Sequence, residues 1–275
     1  MIIDMHSSLI PDDTSALAAM AGRVPTPELC VVDETLRRMD ANGVQCSVVW
    51  QIGYDTGDCR RNNDFISEQA ARHPDRFIPF ATVYPYDLDQ ALAELDRAVE
   101  QLGMVGVKLH PNVMDIPIDH PGFVAVVRRV AELGLPFVTH VNGTRVGDLP
   151  GDFPPVDDDD AAYRASDNAR PERLRPAVAA YDSPRFQSAH MGGIALDWLG
   201  ASNITFQTTG VDVRTIQWTV DHLGPERVVF GSDFPFFTVE DELKKIQQLD
   251  IDEAGRDRLL SGNALERVLR PGTVA

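Results

Sequence analysis

The sequence predicts an α/β fold, a (β/α)8 TIM barrel that forms one domain across residues 1–275. Short apolar segments rich in β-branched residues alternate eight times with longer helical patterns, as repeated strand-helix units require. No Gly/Ser-rich linker divides the chain, and 275 residues with 43% hydrophobic residues suit one barrel better than two average domains. An open, doubly wound parallel sheet has the same alternation and stays an alternative at this point.

The boundaries of the elements follow from changes in hydrophobic period. The predicted strands cover residues 2–6, 46–52, 77–83, 105–110, 136–141, 185–190, 204–207 and 227–230. The predicted helices cover residues 33–42, 63–73, 88–103, 121–134, 171–181, 194–200, 213–223 and 239–249. The pattern at 252–269 predicts an extra C-terminal helix.

Two connections are longer than the usual loops of a compact domain, residues 7–32 after strand 1 and 143–170 after strand 5. Because both follow strands, we expect both at the catalytic face of the barrel, as lids or binding loops. The second contains four consecutive aspartates at 157–160. They lack the spacing of an EF-hand, so we interpret them as a solvated acidic loop.

The composition restricts the partners of this chain. A formal charge of −17 and a pI near 4.7 oppose binding to nucleic acid or to anionic membranes. No apolar run approaches the roughly 18 residues of a membrane span, and no basic signal region opens the chain. Cys30, Cys46 and Cys59 form no CxxC pair, which fits a reducing cytoplasm. We therefore expect a cytoplasmic protein that acts on a small molecule.

Four ionisable residues lie where predicted strands end: His6, His140, His190 and Asp233. In a barrel these ends surround one mouth, and imidazole with carboxylate suits zinc, manganese or iron. His6, His140 and Asp233 can supply the three ligands of a catalytic metal. A single histidine at a strand end is more often structural, but four matching positions on four strands favour a functional cluster.

Other residues near strand ends are candidates for binding substrate. Lys108 and His110 share one face of strand 4 by the two-residue period of a strand. Arg60 and Arg61 follow strand 2 and can pair with a carboxylate through their guanidinium groups, although a solvent-facing role fits them equally. Trp50 and Tyr84 are candidates for the pocket wall.

Several motifs in the chain are familiar. They are IDMH at 3–6, AARHPDRF at 70–77, GVKLHP at 106–111, TH at 139–140, AHMGG at 189–193, RVVFGSDFP at 227–235 and GNA at 262–264. In this order they resemble the amidohydrolase superfamily, in particular the amidohydrolase-related branch that includes aminocarboxymuconate-semialdehyde decarboxylase-like enzymes and lactonases. The resemblance covers essentially the whole chain.

The resemblance implies a (β/α)8 barrel with a divalent metal, zinc or manganese, at its mouth. It implies that His6 and His140 are ligands, that Asp233 is a ligand or base, and that His190 is a catalytic or ligating imidazole. It also suggests a homodimer. One position departs from the pattern: the family usually carries His-x-His on strand 1, whereas Ser8 stands here in place of the second histidine. A neutral hydroxyl is a weak ligand for zinc, so metal occupancy is in question, and Ser8 becomes a candidate for contact with substrate.

These observations lead to a first hypothesis of metal-dependent hydrolysis of a C–O or C–N bond in a lactone or amide, with a small and carboxylated substrate. Asp233 would take the proton of the attacking water, and His190 would stabilise the developing charge. The alternatives are nonoxidative decarboxylation of an unsaturated or aromatic acid, or a metal-free or inactive relative that only binds a ligand.

Overall fold

Eight parallel strands lie side by side in the order in which they occur along the chain. The protein is described by a computed structural model, which covers residues 1–11, 31–142, 167–182, 185–194 and 203–274. The strands are β1 (Ile3–Ser8), β2 (Cys46–Trp50), β3 (Phe77–Ala81), β4 (Gly106–Leu109), β5 (Phe137–Thr139), β6 (Phe186–Ser188), β7 (Ile204–Gln207) and β8 (Val228–Val229). Each one overlaps a predicted strand.

Hydrogen bonds between β1 and the chain around β8 close the sheet into a barrel. The amide of Met5 donates to the carbonyl of Phe230 at 3.0 Å, and the amide of Asp233 donates to the carbonyl of His6 at 2.8 Å. The predicted (β/α)8 barrel is therefore confirmed, and the open sheet is excluded.

Helices follow the strands on the outside of the barrel. The α-helices are α1 (Val32–Asn42), α2 (Thr56–Arg72), α3 (Leu88–Glu100), α4 (Pro111–Met114), α5 (Pro121–Glu132), α6 (Arg175–Val178), α7 (Val213–Leu223), α8 (Val239–Gln247) and α9 (Glu253–Asp257). Turns of 3-10 helix occur at Asp167–Ala169, Pro171–Leu174, Ala189–Met191 and Pro225–Arg227. In the described part of the chain, no helix combines the length and the apolar character needed to cross a membrane.

Some predicted helix boundaries were wrong. Helix α2 begins at Thr56 rather than at residue 63, because Asp55 caps it by accepting a hydrogen bond from the amide of Asp58 at 2.8 Å. The predicted C-terminal helix is present as α9 followed by two π-helical segments, Arg258–Gly262 and Ala264–Val268. Most of the long loops, the acidic run 157–160, Cys30 and most of the predicted helix 194–200 lie outside the described residues.

The apolar residues form two layers, one between the strands and the helices and one inside the barrel. The inner layer is made by alternate strand residues, which include Met5, Val48, Phe80, Val138 and Val229. Gly106 makes room for this layer, because a Cβ there would lie 2.4 Å from the ring of Phe80. The filled interior leaves the carboxyl ends of the strands as the place for polar chemistry.

Candidate metal and active site

The polar side chains at the carboxyl ends of the strands converge at one mouth of the barrel. His6 belongs to β1, His190 lies in the turn after β6, and Asp233 follows β8. His190 and Asp233 have left-handed backbone conformations, with φ angles of 55° and 56°. Such conformations cost a residue other than glycine about 1–3 kcal/mol and concentrate at functional sites. The strain points to this mouth as the candidate site.

Gln207, the last residue of β7, fixes the ring of His6. His6 Nδ1 lies 2.5 Å from Gln207 Oε1. The Gln207 amide group is oriented in turn, because its Nε2 donates to the carbonyl of Met5 at 3.1 Å and to Gln187 Oε1 at 2.8 Å. We therefore assign the proton of neutral His6 to Nδ1. The lone pair on Nε2 then faces Asp233 Oδ1, which lies 3.2 Å away.

A backbone carbonyl fixes His190 in the same way. His190 Nδ1 lies 2.9 Å from the carbonyl oxygen of Thr209, in the turn after β7. The proton is again assigned to Nδ1, which leaves a lone pair on Nε2. His190 Nε2 lies 4.0 Å from Asp233 Oδ2. Burial lowers the pKa of His190 to about 4, so its ring is neutral at pH 7.

His6, His190 and Asp233 form a group suited to a metal ion. Each offers one ligand atom, and these atoms lie within 4.8 Å of one another. Burial alone would raise the pKa of Asp233, but His6, His190 and Lys108 hold it below its ordinary value, so the carboxylate is charged. Two imidazole lone pairs and a carboxylate fit Zn²⁺ or Mn²⁺ and leave positions for substrate. Among the described residues, His190 rather than His140 completes the group.

His140 lies beside this group and not within it. Its ring centroid is 4.6 Å from that of His190 and 4.2 Å from that of His110, and the rings of His140 and His110 are stacked with an angle of 9° between their planes. Burial lowers the pKa values of His140 and His110 well below the ordinary value of histidine, and the neighbouring imidazoles and Lys108 add to the effect. The mouth therefore carries a row of neutral imidazoles.

Lys108 brings a cation into the same space. Its side chain is 1% exposed, and its Nζ lies 3.4 Å from His6 Nε2 and 4.8 Å from the ring centroid of Trp50. Burial lowers the pKa of Lys108 to about 7, while Asp233 acts in the opposite direction. The ring of Trp50 also meets the ring of His6 edge to face at 4.5 Å. Lys108 and Trp50 thus form a cationic and an aromatic part of the site.

Asp4 connects β1, which carries His6, to the segment after β8 that carries Asp233. Its carboxylate accepts hydrogen bonds from the amides of His6 and Ser232 at 3.0 and 2.8 Å, and from Ser232 Oγ at 2.5 Å. Burial nevertheless raises the pKa of Asp4 to about 6. This buried carboxylate therefore fixes the backbone at His6 relative to the backbone at Ser232, the residue before Asp233.

The other predicted site residues have different surroundings. Ser8 pairs with Trp50 in the sheet and is partly buried. Tyr84 packs against the outer apolar layer, and its ring lies near that of Tyr86. The side chain of Arg60 is 58% exposed and pairs with Glu94 of α3, whereas that of Arg61 is 72% exposed and pairs with Asp58.

The positions of the two arginines therefore do not match the expectation that they bind a substrate carboxylate, and agree with the solvent-facing alternative. The early start of α2 explains the difference, because both residues lie within this helix and pair with acidic groups on the helical layer.

Sequence reasoning missed two residues that orient the site, Gln207 and Thr209. Gln207 carried a usable signal, because it is a polar residue at the end of an apolar strand, like the four residues that were singled out. Thr209 acts through its backbone carbonyl, which no residue type reveals, and through its hydroxyl group, which accepts a hydrogen bond from the amide of His190 at 3.2 Å.

Comparison with known proteins gives a match over nearly the whole chain. The sequence model of the family described as Amidohydrolase matches residues 3–270. Gamma-resorcylate decarboxylase of Polaromonas sp. is 25% identical over 287 aligned residues, which cover 86% of this chain and 86% of that protein. The 2-keto-4-carboxy-3-hexenedioate hydratase of Sphingobium sp. is 24% identical over 214 aligned residues, which cover 64% of this chain and 60% of that protein.

A solved structure has the same fold. The crystal structure of dihydroxybenzoic acid decarboxylase from Polaromonas sp., with bound manganese and the inhibitor 2-nitroresorcinol, matches with a TM-score of 0.71 and 23% sequence identity. The match covers 96% of this chain and 95% of that chain.

Proposed function

The chain belongs to the amidohydrolase family, and from this membership we propose that it is a metal-dependent decarboxylase of aromatic carboxylic acids. Hydrolysis of a lactone or amide, the first hypothesis from the sequence, has less support. A relative aligned over 86% of this chain is a decarboxylase, and a structural neighbour is a decarboxylase of dihydroxybenzoic acid that binds manganese. Hydroxylated benzoic acids are therefore the substrate class that we propose.

The observation that carries this proposal is the buried ammonium group of Lys108 beside Trp50 and His6. A carboxylate that enters this space finds a cation with little competing water, and an aromatic ring finds the indole as a packing surface.

The metal would be held by His6 Nε2 and Asp233, with a third imidazole ligand. His190 lies in the same group of donor atoms, and the ring of His140 lies 4.6 Å from the ring of His190, so either can supply that ligand. A bound divalent metal supplies a positive charge that polarises substrate oxygens. The imidazole that does not bind the metal borders the substrate.

Asp233 is the residue that we propose moves the proton. Its Oδ2 takes the proton of a substrate hydroxyl group and delivers it to the ring carbon that bears the carboxylate. A carbon–hydrogen bond forms there, the bond to the carboxylate carbon breaks, and its electron pair returns to the ring as carbon dioxide leaves. The phenolate then takes up one proton from solvent, which is the proton that the overall reaction consumes, and neither an oxidant nor a reductant is needed.

The test is a screen of the purified protein, loaded with Zn²⁺ or Mn²⁺, against hydroxylated benzoic acids and simple lactones. We expect release of carbon dioxide from at least one benzoic acid, and loss of roughly 10²-fold or more of this activity in Asp233→Asn. Metal analysis of His140→Gln and His190→Gln identifies the third ligand, since only the true ligand variant loses bound metal.

Two results would contradict the proposal. Hydrolysis of lactones without any release of carbon dioxide would restore the hydrolase hypothesis. Addition of water to an unsaturated acid, with no decarboxylation, would instead favour the reaction named for the Sphingobium relative.

A further inference from the structure

Asp233 has a left-handed backbone that is held at both of its peptide groups. Its φ angle is 56°, in a region that residues other than glycine rarely adopt. Its N–H donates to the carbonyl of His6 at 2.8 Å, and its C=O accepts a hydrogen bond from the amide of Phe236 at 2.9 Å. The amide of Phe234, at the other end of the second peptide group, donates to Ser232 Oγ at 3.1 Å. A side chain, that of Ser232, therefore restrains the peptide group that follows Asp233.

Asp4 determines how the hydroxyl group of Ser232 is oriented. Ser232 Oγ lies 2.5 Å from Asp4 Oδ2 and 3.4 Å from the carbonyl oxygen of His6. A hydroxyl group has one proton and two lone pairs, and the much shorter contact takes the proton. The lone pairs of Ser232 Oγ are then left for the amide of Phe234. Ser232 is fully buried and Asp4 is 1% exposed, so water does not compete for either group.

The same carboxylate also contacts the backbone of His6. Asp4 Oδ1 accepts hydrogen bonds from the amides of His6 and Ser232. Asp4 and Ser232 thus form a hydrogen-bonded pair where β1 meets the segment after β8. Each side of this contact carries one residue of the candidate metal group, His6 on β1 and Asp233 after β8. The pair is therefore placed to affect the position of one relative to the other.

We propose that Ser232, oriented by Asp4, is a positioning residue for Asp233 and acts through the peptide group between Asp233 and Phe234. The left-handed conformation of Asp233 costs free energy, and hydrogen bonds at both ends of this peptide group compensate for that cost. Without the hydroxyl group, the N–H end of the peptide group can turn, which changes the ψ angle of Asp233. The carboxylate then moves relative to His6 Nε2, which lies 3.2 Å from Asp233 Oδ1. The effect on metal binding rests on the proposed function, whereas the effect on the backbone of Asp233 does not.

The test compares Ser232→Ala and Asp4→Asn with Ser67→Ala in the full-length protein. Ser67 lies in α2, and its Oγ donates to the carbonyl of Leu102 at 2.8 Å, so the control also loses one hydroxyl hydrogen bond to the backbone. The first readout is hydrogen exchange of the Phe234 amide, with Zn²⁺ and with EDTA, in protein labelled with ¹⁵N at phenylalanine. Loss of one resonance in Phe234→Leu assigns this amide. The second readout is Zn²⁺ affinity, measured by calorimetric titration.

We expect the Phe234 amide to exchange at least about tenfold faster in Ser232→Ala, because its hydrogen-bond acceptor is removed. Asp4→Asn should have a smaller effect, because the hydroxyl group stays in place and loses only its charged partner. Zn²⁺ affinity should fall roughly 10- to 100-fold in Ser232→Ala, as is typical for loss of an outer partner of a metal ligand. Ser67→Ala should leave both quantities within about twofold of the unmodified protein, since a general loss of stability would affect both serine variants alike.

Equal exchange of the Phe234 amide in Ser232→Ala and Ser67→Ala would overturn the proposal. Faster exchange with unchanged Zn²⁺ affinity would overturn it too, because the hydroxyl group would then order the turn without positioning the Asp233 carboxylate. If Ser232→Ala does not fold, Asp4→Asn decides by the same two criteria.

Failure of the proposed function gives a different pattern. A protein that decarboxylates no benzoic acid, yet shows both effects, would refute the proposed function and leave the positioning role supported. If the unmodified protein binds no Zn²⁺, the proposed function fails, and exchange of the Phe234 amide in EDTA alone decides on the role of Ser232.

Discussion

Gln207 Oε1 lies 2.5 Å from His6 Nδ1, and this contact decides which nitrogen of His6 faces the mouth of the barrel. The contact crosses from β7 to β1, and the Gln207 amide is itself held by Met5 and Gln187. The ring of His6 is thus oriented before any metal or substrate arrives.

Replacement of Gln207 by leucine should weaken metal binding. The variant keeps the size of the side chain but removes the acceptor that holds the Nδ1 proton, so His6 can turn or change tautomer. We expect a roughly 10- to 100-fold loss of Zn²⁺ affinity, measured by calorimetric titration. Gln187→Leu, which removes only a partner of Gln207, should cost less. Equal affinities of Gln207→Leu and the unmodified protein would show that the metal alone orients His6.

Gly210 and Gly43 form a matched pair for testing the tight packing beside His190. Both have left-handed backbones, with φ angles of +62° and +67°, but a Cβ at Gly43 would meet no atom within 4 Å. Gly43→Ala should therefore lower the free energy of unfolding by only about 1 kcal/mol, the cost of the backbone strain, and the variant should keep the activity of the unmodified protein. In Gly210→Ala the added methyl group would also overlap the ring of Phe237. We therefore expect this variant to lose about 2–4 kcal/mol of the free energy of unfolding and most of the activity. Urea unfolding and turnover measure both, and equal effects of the two substitutions would contradict the argument.

Much of the fold could be predicted because the pattern of apolar residues sets the period of each element. All eight strands were located, since buried parallel strands read as short continuous apolar runs between turn signals. The start of α2 was missed because residues 56–62 are mostly polar, and a cap at Asp55 rather than an apolar period begins this helix. The short helix α4, capped by His110, was missed because its four residues are too few to show a helical period.

The candidate site was predictable only in part. The convergence of His6, His190 and Asp233 follows from their places at strand ends, which a closed barrel brings together. The exposed positions of Arg60 and Arg61 were not predictable, because they depend on where α2 begins and on acidic partners distant in sequence, such as Glu94. Thr209 contacts His190 through its backbone carbonyl and its hydroxyl group, and neither contact is visible in the sequence, because a turn brings together two residues 19 positions apart.

Burial of Lys108 predicts a characteristic dependence of stability on pH. Its pKa is about 7 in the folded protein, against an ordinary value of 10.5. Between these values the unfolded chain binds more protons than the folded protein, so the contribution of Lys108 to the free energy of unfolding rises with pH. Each pH unit is worth about 1.4 kcal/mol per proton. In the presence of EDTA, the free energy of unfolding relative to Lys108→Met should therefore increase by about 2 kcal/mol from pH 7 to pH 9.

Lys244 provides the control for this measurement. Its side chain is 63% exposed, and Asp241 raises its pKa above the ordinary value, so it stays charged in both states at these pH values. The difference in stability between the unmodified protein and Lys244→Met should be flat from pH 7 to pH 9. A flat difference for Lys108→Met as well would show that its ammonium is better solvated than its burial indicates.

Introduction of a histidine at Ser8 should increase metal affinity. Ser8 pairs with Trp50 in the sheet, and the ring of Trp50 lies 4.5 Å from the ring of His6. Since residues paired across parallel strands point to the same side of the sheet, an imidazole at position 8 would enter the mouth of the barrel. It would add a nitrogen ligand where serine offers a weakly binding hydroxyl group.

We expect Ser8→His to bind Zn²⁺ at least about tenfold more tightly, a gain of about 1.4 kcal/mol, in the same calorimetric titration. Ser8→Leu is the control, because it fills a similar volume without a ligand atom. If both variants bind Zn²⁺ with equal affinity, position 8 does not reach the metal. If only Ser8→His gains affinity, the natural site can accommodate one more imidazole ligand than it has. In that case the ammonium of Lys108, which lies 3.4 Å from His6 Nε2, supplies positive charge beside a metal site that has one ligand fewer.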